Sequence, residues 1–389
     1  MSISDQFDTL ASRLRLPKEL AIGIILKINN YAEVEAEVGA LLNDVDSGLC
    51  FTGDSTNVVA ECGENCCVGE NSCKWVGDAT VCVGSCLGEK ACYNLETGAN
   101  ILPFSCTGTQ ACYELGFEAG DTDDATVVTV GPKACQGKSC YQAGIDAESI
   151  EIGYVACTGE LACNKLFRKS GSGATGELSV GDYSCNGYKA CYYSNTVGDV
   201  TIKPRACVGD YACEGISFLG SPESVVVGKE SCIGRKACTE LGRSLDSPNV
   251  ITIGDRSCDG ENSCKGIGAI ARGNIAIGND SCLGFEGCDF VGAGGVSLPN
   301  TFPLDVTVGD NSCTQTSICS QFGRFVKTGV SVTIPSNVCT STADICGTNN
   351  AVGGVTACGG SGCGPAGESF IVDPNPPAAA PVCDFCTSP

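Results

Sequence analysis

The sequence predicts an all-β fold: a disulfide-stapled parallel β-solenoid of about eleven coils with a short helical N-terminal cap. Three observations lead to this prediction. A pair of cysteines with five residues between its members recurs about every 25 residues, and self-similarity at a fixed period is typical of solenoids and arrays. Short segments that alternate apolar and polar residues precede most pairs, as expected of strands with one buried face. Glycine recurs two residues after the leading cysteine, which indicates a turn with positive φ or close stacking of coils.

The composition limits the classes of function. The chain has 389 residues, a formal net charge of −22, 32 cysteines and no histidine. An acidic surface repels nucleic acid and anionic membranes, so nucleic acid is excluded as a partner and membrane binding is disfavoured. Without histidine, the usual general base and most zinc ligand sets are missing. The many cysteines favour an oxidising compartment, extracellular or in an organelle lumen, although the N-terminus shows no clear signal peptide.

Residues 1–49 form the predicted helical cap, because they show a helical period in place of a strand period. Val34, Val38, Leu41 and Val45 recur at spacings of three and four residues, with acidic residues between them. One interpretation is an amphipathic helix that binds a membrane or a partner. The other, which the acidic flanks favour, is a cap that covers the first coil of the array.

The cysteine-repeat β-solenoid is predicted over residues 50–325. Residues 326–370 are predicted to form irregular C-terminal coils or a cap, and residues 371–389 a tail rich in proline and alanine. Strands are predicted before most cysteine pairs, for example at Val128-Thr129-Val130 and Ile251-Thr252-Ile253.

Disulfides within single coils are the favoured role of the cysteines, because a five-residue gap across a turn can bring two Cα atoms within bonding distance. The pairing of Cys50, Cys62, Cys66 and Cys82 stays open. The predicted pairs are Cys67 with Cys73, Cys86 with Cys92, Cys106 with Cys112, Cys157 with Cys163, Cys185 with Cys191, Cys207 with Cys213, Cys232 with Cys238, Cys258 with Cys264, Cys282 with Cys288, and Cys313 with Cys319, together with Cys135 and Cys140, whose gap is one residue shorter.

Two other roles for the cysteines remain as weaker alternatives. Zinc sites favour cysteines two to four residues apart and often use histidine. Redox catalysis is suggested by Cys383-Asp-Phe-Cys386, but this motif lies in the terminal tail without a preceding strand. The sequence therefore nominates no catalytic set, no metal site and no cofactor.

The repeat resembles two groups of proteins. The five-residue gap resembles that of the beetle hyperactive antifreeze proteins, whose short coils are cross-linked by disulfides across the interior. The longer unit, which runs from Val180-Gly-Asp-Tyr-Ser-Cys to Ala190-Cys191, resembles uncharacterised cysteine-rich repeat proteins of marine microalgae. That second resemblance covers about residues 60–325 and implies no activity.

The predicted function is that of a non-enzymatic structural or adhesive scaffold that can assemble with itself or bind an extracellular surface or glycan. The alternative is an ice-binding or carbohydrate-binding solenoid, and a less favoured third is a polysaccharide-active enzyme. Aspartates that follow strand-end glycines, such as Asp182 and Asp255, suggest calcium but are more typical of turns. The outward strand positions that could form a binding face are Thr129, Ser179, Thr201, Thr252, Thr307 and Thr333.

Overall fold

The computed structural model describes residues 50–53, 66–73, 79–93, 99–113, 127–141, 149–164, 177–192, 199–216, 224–239, 250–266, 274–288, 306–316, 319, 332–334, 336–337 and 340. The chain divides into a unit of residues 1–50 and a unit of residues 51–389, and the fold described below is that of the second. No helix in the described ranges is long and apolar enough to cross a membrane.

Among the described residues one parallel sheet forms the backbone of the fold, and its twelve strands lie side by side in chain order. Each strand is three or four residues long, and every strand between the first and the last pairs with the strand before it and the strand after it. The strands are β1 (Cys50–Gly53), β2 (Ala79–Cys82), β3 (Ala99–Ile101), β4 (Val127–Val130), β5 (Ser149–Ile152), β6 (Glu177–Val180), β7 (Asp199–Ile202), β8 (Ser224–Val227), β9 (Val250–Ile253), β10 (Ile275–Ile277), β11 (Val306–Val308) and β12 (Val332–Ile334).

The alternation of residues within each strand fixes the register of the sheet. In β5 and β6, Ile150 pairs with Leu178 and Ile152 with Val180, and all four side chains are buried. Burying a side chain of this size stabilises the fold by about 1.5–3 kcal/mol. A slip of one residue would turn these side chains outward, so burial holds the strands in line.

Left-handed backbone conformations recur in the disulfide turns, and sequence analysis did not predict them. In most pairs both cysteines and the residues two positions before them have positive φ, as shown by Tyr183 (57°), Cys185 (55°), Lys189 (54°) and Cys191 (53°). Such a conformation costs a non-glycine residue about 1–3 kcal/mol. Hydrogen bonds to the neighbouring coil offset this cost, because the Cys185 amide donates to the Ala206 carbonyl over 3.0 Å.

The glycine that recurs two residues after the leading cysteine permits both a turn with positive φ and close stacking of the coils. Gly187 has a φ of +142°, and a Cβ built on it would lie 2.5 Å from the carbonyl oxygen of Gly209 in the next coil. Only glycine combines this backbone conformation with this closeness of neighbouring coils.

The predicted all-β, disulfide-rich parallel β-solenoid is confirmed. The described residues contain no helix, and the helical cap predicted at residues 1–49 lies outside them. The predicted tail, residues 371–389, and most of the irregular region, residues 326–370, also lie outside them.

Candidate functional site

A column of disulfides runs through the interior beside the sheet, and the structure joins all the predicted partners. In each pair the Cα atoms lie 5.2–5.9 Å apart. Closing so small a ring stabilises the fold by about 2 kcal/mol in the chain-entropy model. Cys66 and Cys82, whose pairing the sequence left open, are also disulfide-bonded.

The cysteines of the column are buried, with one partial exception at its first described turn. Cys67 is half-buried, whereas its partner Cys73 is 1% exposed. Further along, Cys157 and Cys163 are both fully shielded from solvent, as are the remaining predicted partners. The bonds therefore lie in the core and not on the surface.

At several places in the column a sulfur of one coil lies close to the disulfide of the next coil. The sulfur of Cys213 lies within 4.8 Å of both sulfurs of the Cys232–Cys238 disulfide, and Cys238 lies equally close to Cys258 and Cys264. A metal ion requires thiolates, whereas these sulfurs are bonded in pairs. In this oxidised state the column is therefore a covalent core and not a set of metal ligands.

A ladder of buried serines accompanies the disulfides, because serine directly precedes the leading cysteine in most of the repeats. The Ser231 hydroxyl donates to the Gly254 carbonyl over 2.6 Å and accepts from the Ser257 amide over 3.1 Å. Ser257 and Ser281 repeat this arrangement one coil further along. Each such hydroxyl therefore bonds twice to the next coil, in a fully buried position where an unpaired polar group would be costly.

The aspartates that suggested calcium bind backbone amides instead. Asp182 Oδ1 accepts from the Tyr154 amide over 2.7 Å, and Asp255 Oδ1 accepts from the Lys229 amide over 2.8 Å. The pKa of Asp255 is lowered, first by this backbone hydrogen bond and then by the nearby Lys203 ammonium. These carboxylates act as turn residues that link one coil to the next.

Charged side chains also pair between coils. Arg256 and Asp280 form a two-pronged contact, with Nε–Oδ1 and Nη2–Oδ2 distances of 2.7 and 2.6 Å. The Arg256 guanidinium thereby holds the pKa of Asp280 below its usual value. Similar pairs join Arg205 to Glu230 over 3.3 Å and Arg235 to Glu261 over 3.0 Å.

The outward strand positions that were predicted as a possible binding face share one line across the sheet. The register pairs Thr129 with Glu151, Ser179 with Thr201, and Thr307 with Thr333. The line continues through Val226, Thr252 and Ala276, and it extends to Thr80 and Asn100, which sequence analysis did not include.

Charge divides this outward face into two zones. Glu151, Glu177 and Asp199 give the strands β5 to β7 an acidic zone. The described outward residues of β8 to β11 carry no charge and are small or β-branched; they are Ser224, Val226, Val250, Thr252, Ala276 and Thr307. We call this second group the neutral zone.

Tyrosines form a further ladder that the sequence analysis missed. Each of these residues directly follows the second cysteine of a pair; they are Tyr93, Tyr113 and Tyr141. Their rings stack in parallel, with neighbouring centroids 5.0 and 5.1 Å apart. The signal was visible as tyrosine at one phase of three consecutive repeats. Stacked rings add to the cohesion between these coils.

A cluster of three tyrosines surrounds one ammonium group. Lys189 Nζ lies 5.4, 5.0 and 5.6 Å from the ring centroids of Tyr188, Tyr192 and Tyr211. Burial acts to lower the pKa of Lys189, but these rings and Glu214 together raise it above its ordinary value. The cation is therefore held within the protein's own aromatic cluster.

Comparison with known proteins identifies a related domain without a known role. Residues 168–270 match the model of a family described as Domain of unknown function (DUF7640). This stretch contains strands β6 to β9 and their disulfide turns. No curated protein and no solved structure matches the chain.

Proposed function

We propose that the chain is a non-enzymatic structural or adhesive scaffold that works outside the cell or in an organelle lumen and can assemble with itself. The observation that carries this proposal is the continuous buried column of disulfides, one at the same phase of each described turn. Disulfides of this number persist in oxidising compartments. They favour a body whose shape is maintained under mechanical or chemical stress.

The proposed scaffold is a rod of about eleven coils. This number follows from assigning one coil to each of the disulfides that recur between Cys67 and Cys319. Strands in a sheet are spaced about 4.8 Å apart, so eleven coils would span about 50 Å. A helical cap formed by residues 1–49 belongs to the proposal, because an open strand edge would otherwise pair with other chains.

The use of polar side chains supports a role without catalysis. Buried serines, turn aspartates and arginine–carboxylate pairs of the described coils bond to neighbouring coils. These groups serve cohesion between coils.

The proposal is tested by combining a stability measurement with a measurement of assembly. Thermal unfolding with and without a strong reductant should show a large loss of stability on reduction, and sedimentation of the oxidised protein should show concentration-dependent association. Sugar release from a panel of polysaccharides would contradict the non-enzymatic role. Unchanged stability after verified reduction would contradict the disulfide-supported scaffold.

An ice-binding or carbohydrate-binding face is a second candidate, and the neutral zone of β8 to β11 favours it. Its residues occupy consecutive, in-register strands, which gives a surface with a regular spacing. Thr252→Glu would add a charge to this zone, whereas Ser179→Glu would add one to the acidic zone and serves as the control. Thermal hysteresis or glycan binding lost only in Thr252→Glu would support this candidate, and their absence in the unmodified protein would reject it.

A further inference from the structure

The disulfide column contains sulfur trios in which a sulfur of one coil lies close to the disulfide of the adjacent coil. Each trio places one cysteine of a coil within 4.8 Å of both sulfurs of the adjacent coil's disulfide. Exchange begins when a thiolate attacks one sulfur of a disulfide, so a neighbour close to both sulfurs has two possible targets. The trios are Cys112 with Cys135–Cys140, Cys207 with Cys185–Cys191, Cys213 with Cys232–Cys238, Cys238 with Cys258–Cys264, and Cys288 with Cys313–Cys319.

Two of these trios share a member and therefore connect three coils. Cys238 is a target in the trio of Cys213 and the attacking neighbour in the trio with Cys258 and Cys264. All of these sulfurs belong to fully buried cysteines. A thiol formed among them is consequently less accessible to external thiols and oxidants than to the internal disulfide beside it.

We infer that the interior column is a relay in which a free thiol, once formed, migrates between coils by internal disulfide exchange. In the first step the Cys213 thiolate attacks Cys232, a Cys213–Cys232 bond forms, and the Cys232–Cys238 bond breaks to release the Cys238 thiolate. In the second step Cys238 attacks Cys258 or Cys264 and releases the other as a thiolate. Each step makes one disulfide and breaks one, so no oxidant or reductant is consumed.

The relay gives the protein a way to move a broken cross-link along the column after partial reduction. A reductant that opens one disulfide converts it to two thiols, and exchange can then replace a bond within one coil by a bond between neighbouring coils, with the number of disulfides unchanged. The inference does not depend on what the scaffold binds, because it concerns only sulfurs of the interior.

The test uses a single substitution that creates one free thiol at a known place. Cys207→Ser removes the partner of Cys213, which lies beside the Cys232–Cys238 disulfide. The folded variant is incubated at mildly alkaline pH, quenched with acid, unfolded, alkylated with a maleimide and digested for peptide mapping. We expect the label to leave Cys213 with time and to appear on Cys232, Cys238, Cys258 or Cys264, faster at higher pH because the thiolate is the nucleophile.

A matched control separates the relay from general scrambling. Cys92→Ser leaves Cys86 as the free thiol, and neither cysteine belongs to one of the trios found among the described residues. Its label should stay on Cys86. The inference is overturned if the label remains on Cys213 in the first variant, or if it spreads equally in both variants.

Partial reduction of the unmodified protein provides an independent measurement should Cys207→Ser fail to fold. A limiting amount of a water-soluble phosphine converts one disulfide and one water molecule to two thiols and phosphine oxide, without forming a mixed disulfide. Peptide mapping should then find bonds between coils, such as Cys213–Cys232, and thiols on different coils. Thiols found only as native pairs would refute the relay.

Discussion

Replacing Gly187 by alanine should weaken the stack at one defined contact between coils. The residue has a φ of +142°, and the added Cβ would lie 2.5 Å from the Gly209 carbonyl oxygen. Strained backbone of this kind costs about 1–3 kcal/mol, and overpacking of a close contact costs about 1–3 kcal/mol more. The expected loss, the sum of these two costs, is therefore about 2–6 kcal/mol of local stability.

Gly137→Ala is the matched control, because it has the same phase in its coil and a positive φ of +84° but more room. The nearest atom to its added Cβ, the Gly159 carbonyl oxygen, lies 4.0 Å away. This variant should show the backbone cost alone. The assay is amide hydrogen exchange of the oxidised proteins, followed at the coils on either side of each substitution. Equal loss of protection in the two variants would refute the contribution of close packing between coils.

Three further predictions concern the ladders between coils. Ser231→Ala should lower stability by about 1–3 kcal/mol in chemical denaturation, because it leaves the buried amide of the next coil without its acceptor; a loss no greater than that of an exposed serine would contradict the ladder's role. Tyr113→Ala should lose about 1–3 kcal/mol through its two ring stacks, measured in the same way, whereas Tyr113→Phe should retain most of it. Asp280 has a lowered pKa in the folded state, so its pairing with Arg256 stabilises the fold above the ordinary carboxyl pKa and is lost as the pH falls through the folded-state value. Asp280→Asn should reduce this acid sensitivity in thermal melts. An unchanged pH profile in this variant would contradict the pairing.

The strands and the disulfide partners were predictable because their signals are local and repeated. Alternation at Ile150-Glu151-Ile152 places two side chains inward and one outward, and a regular cysteine gap returns with each coil. The number of residues between successive strands varies, but the strands remain in register. Burial of the inward side chains fixes this register.

The left-handed turns and the ladders were not predictable from the residue types alone. Cys185 and Lys189 have no intrinsic preference for positive φ, and only hydrogen bonds with the next coil make that conformation favourable. From the sequence, Ser231 could not be distinguished from a small residue that only packs in the core, because alanine occupies the same phase in other coils, as at Ala206. Its partners become apparent only when coils are stacked.

The most direct test of the account is a disulfide map of the native protein. The chain is unfolded in acid without reductant, alkylated, digested and analysed by mass spectrometry before and after reduction. The account predicts unlabelled cysteines and linked peptides for pairs within single coils, such as Cys185–Cys191 and Cys258–Cys264. Free thiols at these positions in the freshly isolated protein would contradict the disulfide column on which the proposed scaffold rests.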